Sequence, residues 1–223
     1  MDTKKLELEE VIADLRLIKE AVNKSDNFFR FIDTRRAMRG VMLATGLMIA
    51  FFSGLYYYLT SIYGSFMLTP LSLRITFYVL VGIGWVVLGF IKIGGFLKSG
   101  RAVSKDMNLN KLFNEIYTSR MLTLMLPYIL VIILVVIFLC TRGQFVYITP
   151  ALAILFGLLF IAMSPIIYFK ELYLLSAWLI ATGLLTLFSA TAFHPMAVLG
   201  LTFGAGFIFA GLLLYLELPG HRS

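Results

Sequence analysis

The residues able to act as nucleophile, general acid or base, or metal ligand are few and scattered. The 223-residue chain has two histidines, one cysteine and twelve carboxylates. Eight carboxylates fall within the first 40 residues, and the others are Asp106, Glu115, Glu171 and Glu217. Acid–base catalysis needs a titratable group within hydrogen-bond reach of the reacting atom, and a metal centre needs several ligands at one point. No such cluster is visible in the spacing. His194 and His221 bracket the last apolar run, so they belong to opposite membrane faces and share no site. Cys140 closes another apolar run. Alone it makes no intrachain disulfide and reads as a small buried hydrophobe, with an intermolecular disulfide as the alternative. Lys170, Glu171, His194 and Glu217 sit at run ends, where interfacial solvation or local pairing accounts for them. The pattern predicts no enzyme, no cofactor and no metal.

The elements that position these residues follow from composition. Hydrophobic residues make up 60% of the chain and charged residues 14%, against roughly 25% charged in a soluble domain. Seventeen of the 31 charges lie in residues 1–40. This excludes a soluble globular domain, a disordered chain and a disulfide scaffold. The net charge of +7 comes without a nucleic-acid-binding motif, so nucleic acid is not an expected partner.

Crossing about 30 Å of hydrocarbon takes about 20 helical residues. Six charge-free runs approach or exceed that length: 41–60, 75–91, 121–141, 145–169, 172–193 and 195–216. They do not alternate polar and apolar residues, so helices are predicted rather than barrel strands. The first run follows about forty charged, helix-prone residues rather than a short basic stretch, so it is expected to stay as a span and not be removed as a signal peptide. The second is shortest and needs Arg74 and Lys92 to snorkel. The predicted fold is an all-α, six-span membrane protein with an N-terminal amphipathic cytoplasmic helix. Its segments are a cytoplasmic helix at 1–40, spans one and two at 41–91, and a cytoplasmic loop with an amphipathic helix at 92–120. A four-helix unit at 121–217 and a tail at 218–223 complete it.

Lysine and arginine set the direction. With the N-terminus inside, seventeen basic residues fall on the inner side and only Arg74 and Arg142 on the outer. This is a positive-inside distribution with both termini cytoplasmic. Tyr56, Tyr57, Tyr58, Tyr63 and Tyr147 map to the outer interface, and Tyr117, Tyr168 and Tyr173 to the inner one, as aromatic belts would. Thr149-Pro150 and His194-Pro195 place proline at a first helical position, where its missing N–H costs nothing.

Three sets of residues are candidates for interaction. Leu8, Val11, Leu15, Ile18, Val22, Phe29 and Ile32 recur at heptad spacing and form an apolar stripe that wants a partner. That partner is the chain's own bundle, a second copy, or a separate cytoplasmic protein. A second amphipathic piece at 109–120 carries Leu109, Leu112, Phe113 and Ile116 and is a natural intrachain mate. Arg30, Arg35, Arg36 and Arg39, among Phe28, Phe29 and Ile32, suit a helix lying at the inner headgroups before span one. Gly200, Gly204 and Gly211 share one face of the last span, which allows close helix approach within the chain or in a dimer. Span two carries Gly82, Gly84 and Gly89. Span hydroxyls such as Ser53, Thr76, Thr123, Ser164, Ser176, Thr182, Thr186, Ser189 and Thr202 act as packing groups or line a path for a small neutral solute.

The order and texture of the chain resemble a family of bacterial six-span integral membrane proteins of uncharacterised function. The residues that carry the resemblance are the Ser-x-x-Phe-Phe piece at Ser25–Phe29, Arg120, Leu122, Leu126 and Pro127 at the entry to span three, the stretch Ile148–Leu158, and the glycine-rich last span. The resemblance covers about residues 20–217 and implies a six-helix fold in a bacterial cytoplasmic membrane. It implies no functional residues. The expected function is that of a non-enzymatic inner-membrane protein acting as regulator or scaffold through its cytoplasmic helices. The alternative is a carrier or channel for a small neutral or lipophilic solute.

Overall fold

The computed structural model describes residues 34–103, 108–110, 119–167, 169–189 and 192–216. Among them there is no strand, and six helices are long and apolar enough to cross a membrane. They are α1 (Thr34–Tyr63), α2 (Leu71–Val103), α3 (Ser119–Thr141), α4 (Ile148–Ile167), α5 (Glu171–Phe188) and α6 (Pro195–Leu216). The chain is a multi-pass membrane protein. Successive helices alternate in direction. One face of the bundle therefore carries Arg39 and the other His194, and these residues name the two faces below.

The connections explain the alternation. At the α3–α4 turn, Gly143 adopts φ 69°, and the N–H groups of Gly143 and Gln144 bond the carbonyls of Cys140 and Leu139 at 3.1 and 2.9 Å. This is a Schellman ending, which satisfies carbonyls orphaned at the helix terminus. Gly64, at φ 74°, ends α1, and a 3-10 turn at Phe66–Leu68 leads into α2. At α6, His194 is the N-cap and Pro195 the first helical residue, as the sequence predicts. Pro150 lies two residues further into α4 than predicted, because the helix begins at Ile148 after a 3-10 turn.

Two helices run past their predicted ends. α1 is unbroken from Thr34, so residues 34–39 extend span one along its axis; a separate helix flat at the headgroups was expected there. At 1.5 Å per residue its 30 residues reach about 45 Å, half as long again as the hydrocarbon. α2 continues through Lys92, Lys98 and Arg101 to Val103. The twelve residues after 91 are helix rather than loop, and Lys92 is an interior residue of that helix. Most of the amphipathic piece at 109–120 lies outside the described residues.

Packing does not follow chain order. A buried cluster among the described residues draws Met42 from α1, Ala153 from α4, Phe169 from the α4–α5 turn, Leu172, Leu175 and Leu179 from α5, and Phe203, Ala210 and Leu214 from α6. α2 leans on α1 and α3 on α4. Only 6% of the α3 span is buried inside the protein, against 44% for α5 and for α6, so α3 presents most of its surface to lipid. Lipid tails are as apolar as leucine, so hydrophobicity alone does not draw helices together in a bilayer. What sorts the helices is how closely their backbones can approach.

Two residues depart from their sequence expectations here. Cys140 was expected to be buried and is exposed, because it lies one residue from the end of sparsely packed α3, next to the α3–α4 turn. Glu171 was expected at a run end, solvated or locally paired, and at 3% exposed it is not solvated. It occupies the first turn of α5, beside fully buried Phe169. The positive end of the helix dipole favours a carboxylate in that position.

Candidate functional site

Among the described residues, α1 and α6 meet in a seam of close backbone approach. The small residues Gly46, Ala50 and Ser53 recur along one face of α1 at helical spacing. A Cβ placed on Gly46 would stand 2.5 Å from the Ile208 nitrogen and 2.8 Å from the Gly204 oxygen. The three glycines singled out on α6 all face this helix. Gly200 lies against Ser53, Gly204 against Ala50 and Gly211 against Leu43. They serve contact within the chain, and the small residues of α1 are the matching half. That half was readable in the sequence as Gly-x-x-x-Ala-x-x-Ser but was not singled out.

A second close crossing joins α4 to α5. A Cβ on Gly157 would come 3.0 Å from the Ser176 oxygen, and one on Gly183 would come 3.1 Å from the Pro150 oxygen. In α2, Gly84 faces Met48 and Phe52 of α1, whereas Gly82 and Gly89 have nothing within 4 Å.

The seam contains an irregularity. Residues Gly200–Ala205 form a π-helical turn inside α6. Such turns displace backbone groups from the regular ladder and recur at functional positions. Trp178 of α5 donates its indole N–H to the Thr202 carbonyl in this turn at 3.0 Å. The indole thereby ties α5 to α6, with the Trp178 ring against Gly206.

Several intramembrane hydroxyls turn inward on their own helices. Ser53 donates to Ile49 at 2.6 Å, Thr182 to Trp178 at 2.7 Å, Thr186 to Thr182 at 2.7 Å and Thr202 to Val198 at 2.7 Å. Ser176 donates to the Leu172 carbonyl at 2.5 Å. Ser164 differs, donating to the Phe169 carbonyl at 2.8 Å and so bracing the α4–α5 turn. Each of these donors is already committed to a backbone acceptor in the same chain.

At the Arg39 face, the Arg39 guanidinium lies 4.1 Å from the centre of the Tyr215 ring, joining the start of α1 to the end of α6. Arg35 and Arg36 occupy the first turn of α1, ahead of the described side chains. Arg30 lies outside the described residues, as does the whole stripe Leu8, Val11, Leu15, Ile18, Val22, Phe29 and Ile32. Lys98, Arg101 and Lys170 fall on this same face by the alternation of the helices, and Arg74 and Arg142 on the other.

At the His194 face, aromatic rings from α1, the 3-10 turn and α2 form a cluster. Tyr56 stacks on Phe66 with ring centres 4.5 Å apart, and Phe77 meets both edge-on. His194 approaches Tyr57 edge-on at 5.2 Å. Its Nδ1 accepts the Met196 backbone N–H at 3.2 Å, which caps α6. The neutral imidazole then carries its proton on Nε2.

Comparison with known proteins returned no matching family model, curated protein or solved structure. The reading therefore rests on the geometry of this chain.

Proposed function

We propose that this is a non-enzymatic multi-span protein of the bacterial inner membrane that acts as a regulator or scaffold through its cytoplasmic helices. In this reading the Arg39 face is cytoplasmic, and both chain ends lie there. The observation that carries it is the inward-turned hydroxyls. A polar path for a solute needs hydrogen-bonding groups free to replace water. In α1, α5 and α6 the hydroxyls of Ser53, Ser176, Thr182, Thr186 and Thr202 spend their protons on their own helix carbonyls, which leaves no donor among them for a solute. The concentration of basic residues on one face supports the orientation, since cytoplasmic loops retain lysine and arginine. α1 is the mechanical link. It runs as one helix from Thr34, next to the charged N-terminal segment, to Tyr63 on the far side.

Removing residues 1–33 leaves α1 whole and tests the reading. The expected result is altered oligomeric state or lost recovery of a cytoplasmic partner, with solute flux in proteoliposomes equal to that of empty vesicles. Unchanged assembly and recovery, or flux of small neutral solutes above the empty-vesicle level, refutes it.

A further inference from the structure

A cavity of about 250 Å³ opens at the His194 face, where the end of α1, the 3-10 turn and the start of α6 meet. Tyr56 and Phe66 form an aromatic wall, Pro195 and Met196 an apolar one, and Ser65 and His194 add polar edges. Single-ring molecules suit this volume, which lies just below the range of about 300–1,000 Å³ that holds drug-sized ligands.

The polar groups are donors with capacity to spare. His194 uses Nδ1 for the α6 cap, which leaves Nε2–H. Ser65 uses its oxygen to accept from the Met67 backbone at 3.3 Å, which leaves its O–H. Tyr56 O–H has no hydrogen-bond partner among the described residues. Thr60, by contrast, spends its proton on the Tyr57 carbonyl at 2.8 Å. The lining holds no Asp, Glu, Lys or Arg, so with His194 neutral nothing there offsets a ligand's formal charge. Moving an ion into such a place without a counter-charge is costly, whereas an uncharged acceptor between spare donors is favoured.

We propose that this cavity is a binding site for a small uncharged ring molecule bearing a carbonyl or hydroxyl acceptor. The ring packs against Tyr56, Phe66 and Met196, and the acceptor takes hydrogen bonds from Tyr56, Ser65 or His194. The site is separate from the cytoplasmic face and stands without the proposed function. An occupant bridges α1 and α6 at the end of their seam.

Three probes of one shape and different charge test it: benzamide, benzoate and benzylammonium, added to the full chain in lipid nanodiscs near pH 8. Saturation-transfer NMR reads the bound ring. The imidazole resonances of His194, assigned through His194→Gln, report location against those of His221. The expected result is saturable benzamide binding that shifts His194 and leaves His221 unmoved, about tenfold tighter than either ion. Tyr56→Phe deletes one hydroxyl and weakens benzamide binding by about three- to tenfold, the worth of one net hydrogen bond. Met196→Trp fills the space and abolishes binding. No saturable benzamide binding with a dissociation constant near or below about 10 mM overturns the proposal. So does equal binding of the ions, an unmoved His194 resonance, or transfer that persists in Met196→Trp, which marks partition into the bilayer.

Discussion

Replacing Gly46 by alanine adds a single methyl where α1 and α6 touch backbone to backbone. The new Cβ would lie 2.5 Å from the Ile208 nitrogen and 2.8 Å from the Gly204 oxygen. Comfortable contact between such atoms is about 3.5 Å, so the helices must part by about 1 Å. A gap of that size forfeits a quarter to a half of each dispersion contact it opens. Overpacking of this kind costs about 1–3 kcal/mol, and about 2 kcal/mol corresponds to about a thirtyfold fall in the folding equilibrium. Gly54 lies two turns further along α1 with nothing within 4 Å of its Cβ position. There alanine gains helix propensity of up to about 1 kcal/mol and strains nothing. The two variants should therefore differ by about 2–3 kcal/mol in opposite directions. Gly204→Ala, whose Cβ would meet Ala50 backbone at 3.1 Å, falls between them. Denaturant titration in bicelles, read by intrinsic fluorescence and checked by reversibility, measures all three. Equal stability of Gly46→Ala and Gly54→Ala would refute the claim that close backbone approach joins α1 to α6.

Trp178→Phe keeps most of the ring and removes the donor to the Thr202 carbonyl. It should cost about 0.6–1.5 kcal/mol in the same titration, and an unchanged midpoint would mean the bond adds nothing. Gly143→Ala forces an L-residue into the left-handed region at the α3–α4 turn, at about 1–2 kcal/mol, whereas Gly82→Ala at an open helical position should not destabilise. Cys140 is exposed at the His194 end of α3. A membrane-impermeant maleimide should label it from outside intact cells, and labelling that requires permeabilisation would reverse the proposed orientation.

Much of the helix inventory is legible in the sequence because hydrocarbon imposes a length and a lack of charge. The run 195–216 matches its helix residue for residue, and 121–141 misses only the first two residues of α3. The ends of α1 and α2 are less legible. Residues 34–40 and 92–103 carry charges that end an apolar run without ending a helix, since lysine and arginine are good helix formers and reach outward along their stems. The glycines of α6 announce a close neighbour, but their spacing does not say which one. The exposure of Cys140 and the burial of Glu171 were not legible for a related reason: burial at a span end depends on which helix lies beside it, and that is absent from the local sequence.

The sequence by itself determined that the described residues are helical and that six helices are long and apolar enough to cross a membrane, because a span must satisfy its own backbone hydrogen bonds and match the thickness of the hydrocarbon. Tertiary structure alone decided that α1 seats on α6, that α2 and α3 stand at the edges, and that Tyr56, Ser65 and His194 meet around one cavity. All six spans are apolar, and the most apolar of them, α3, is the least buried. Their neighbours are therefore selected by shape, through Gly46 against Gly204 and Gly157 against Ser176, and shape arises only when two distant segments are brought together.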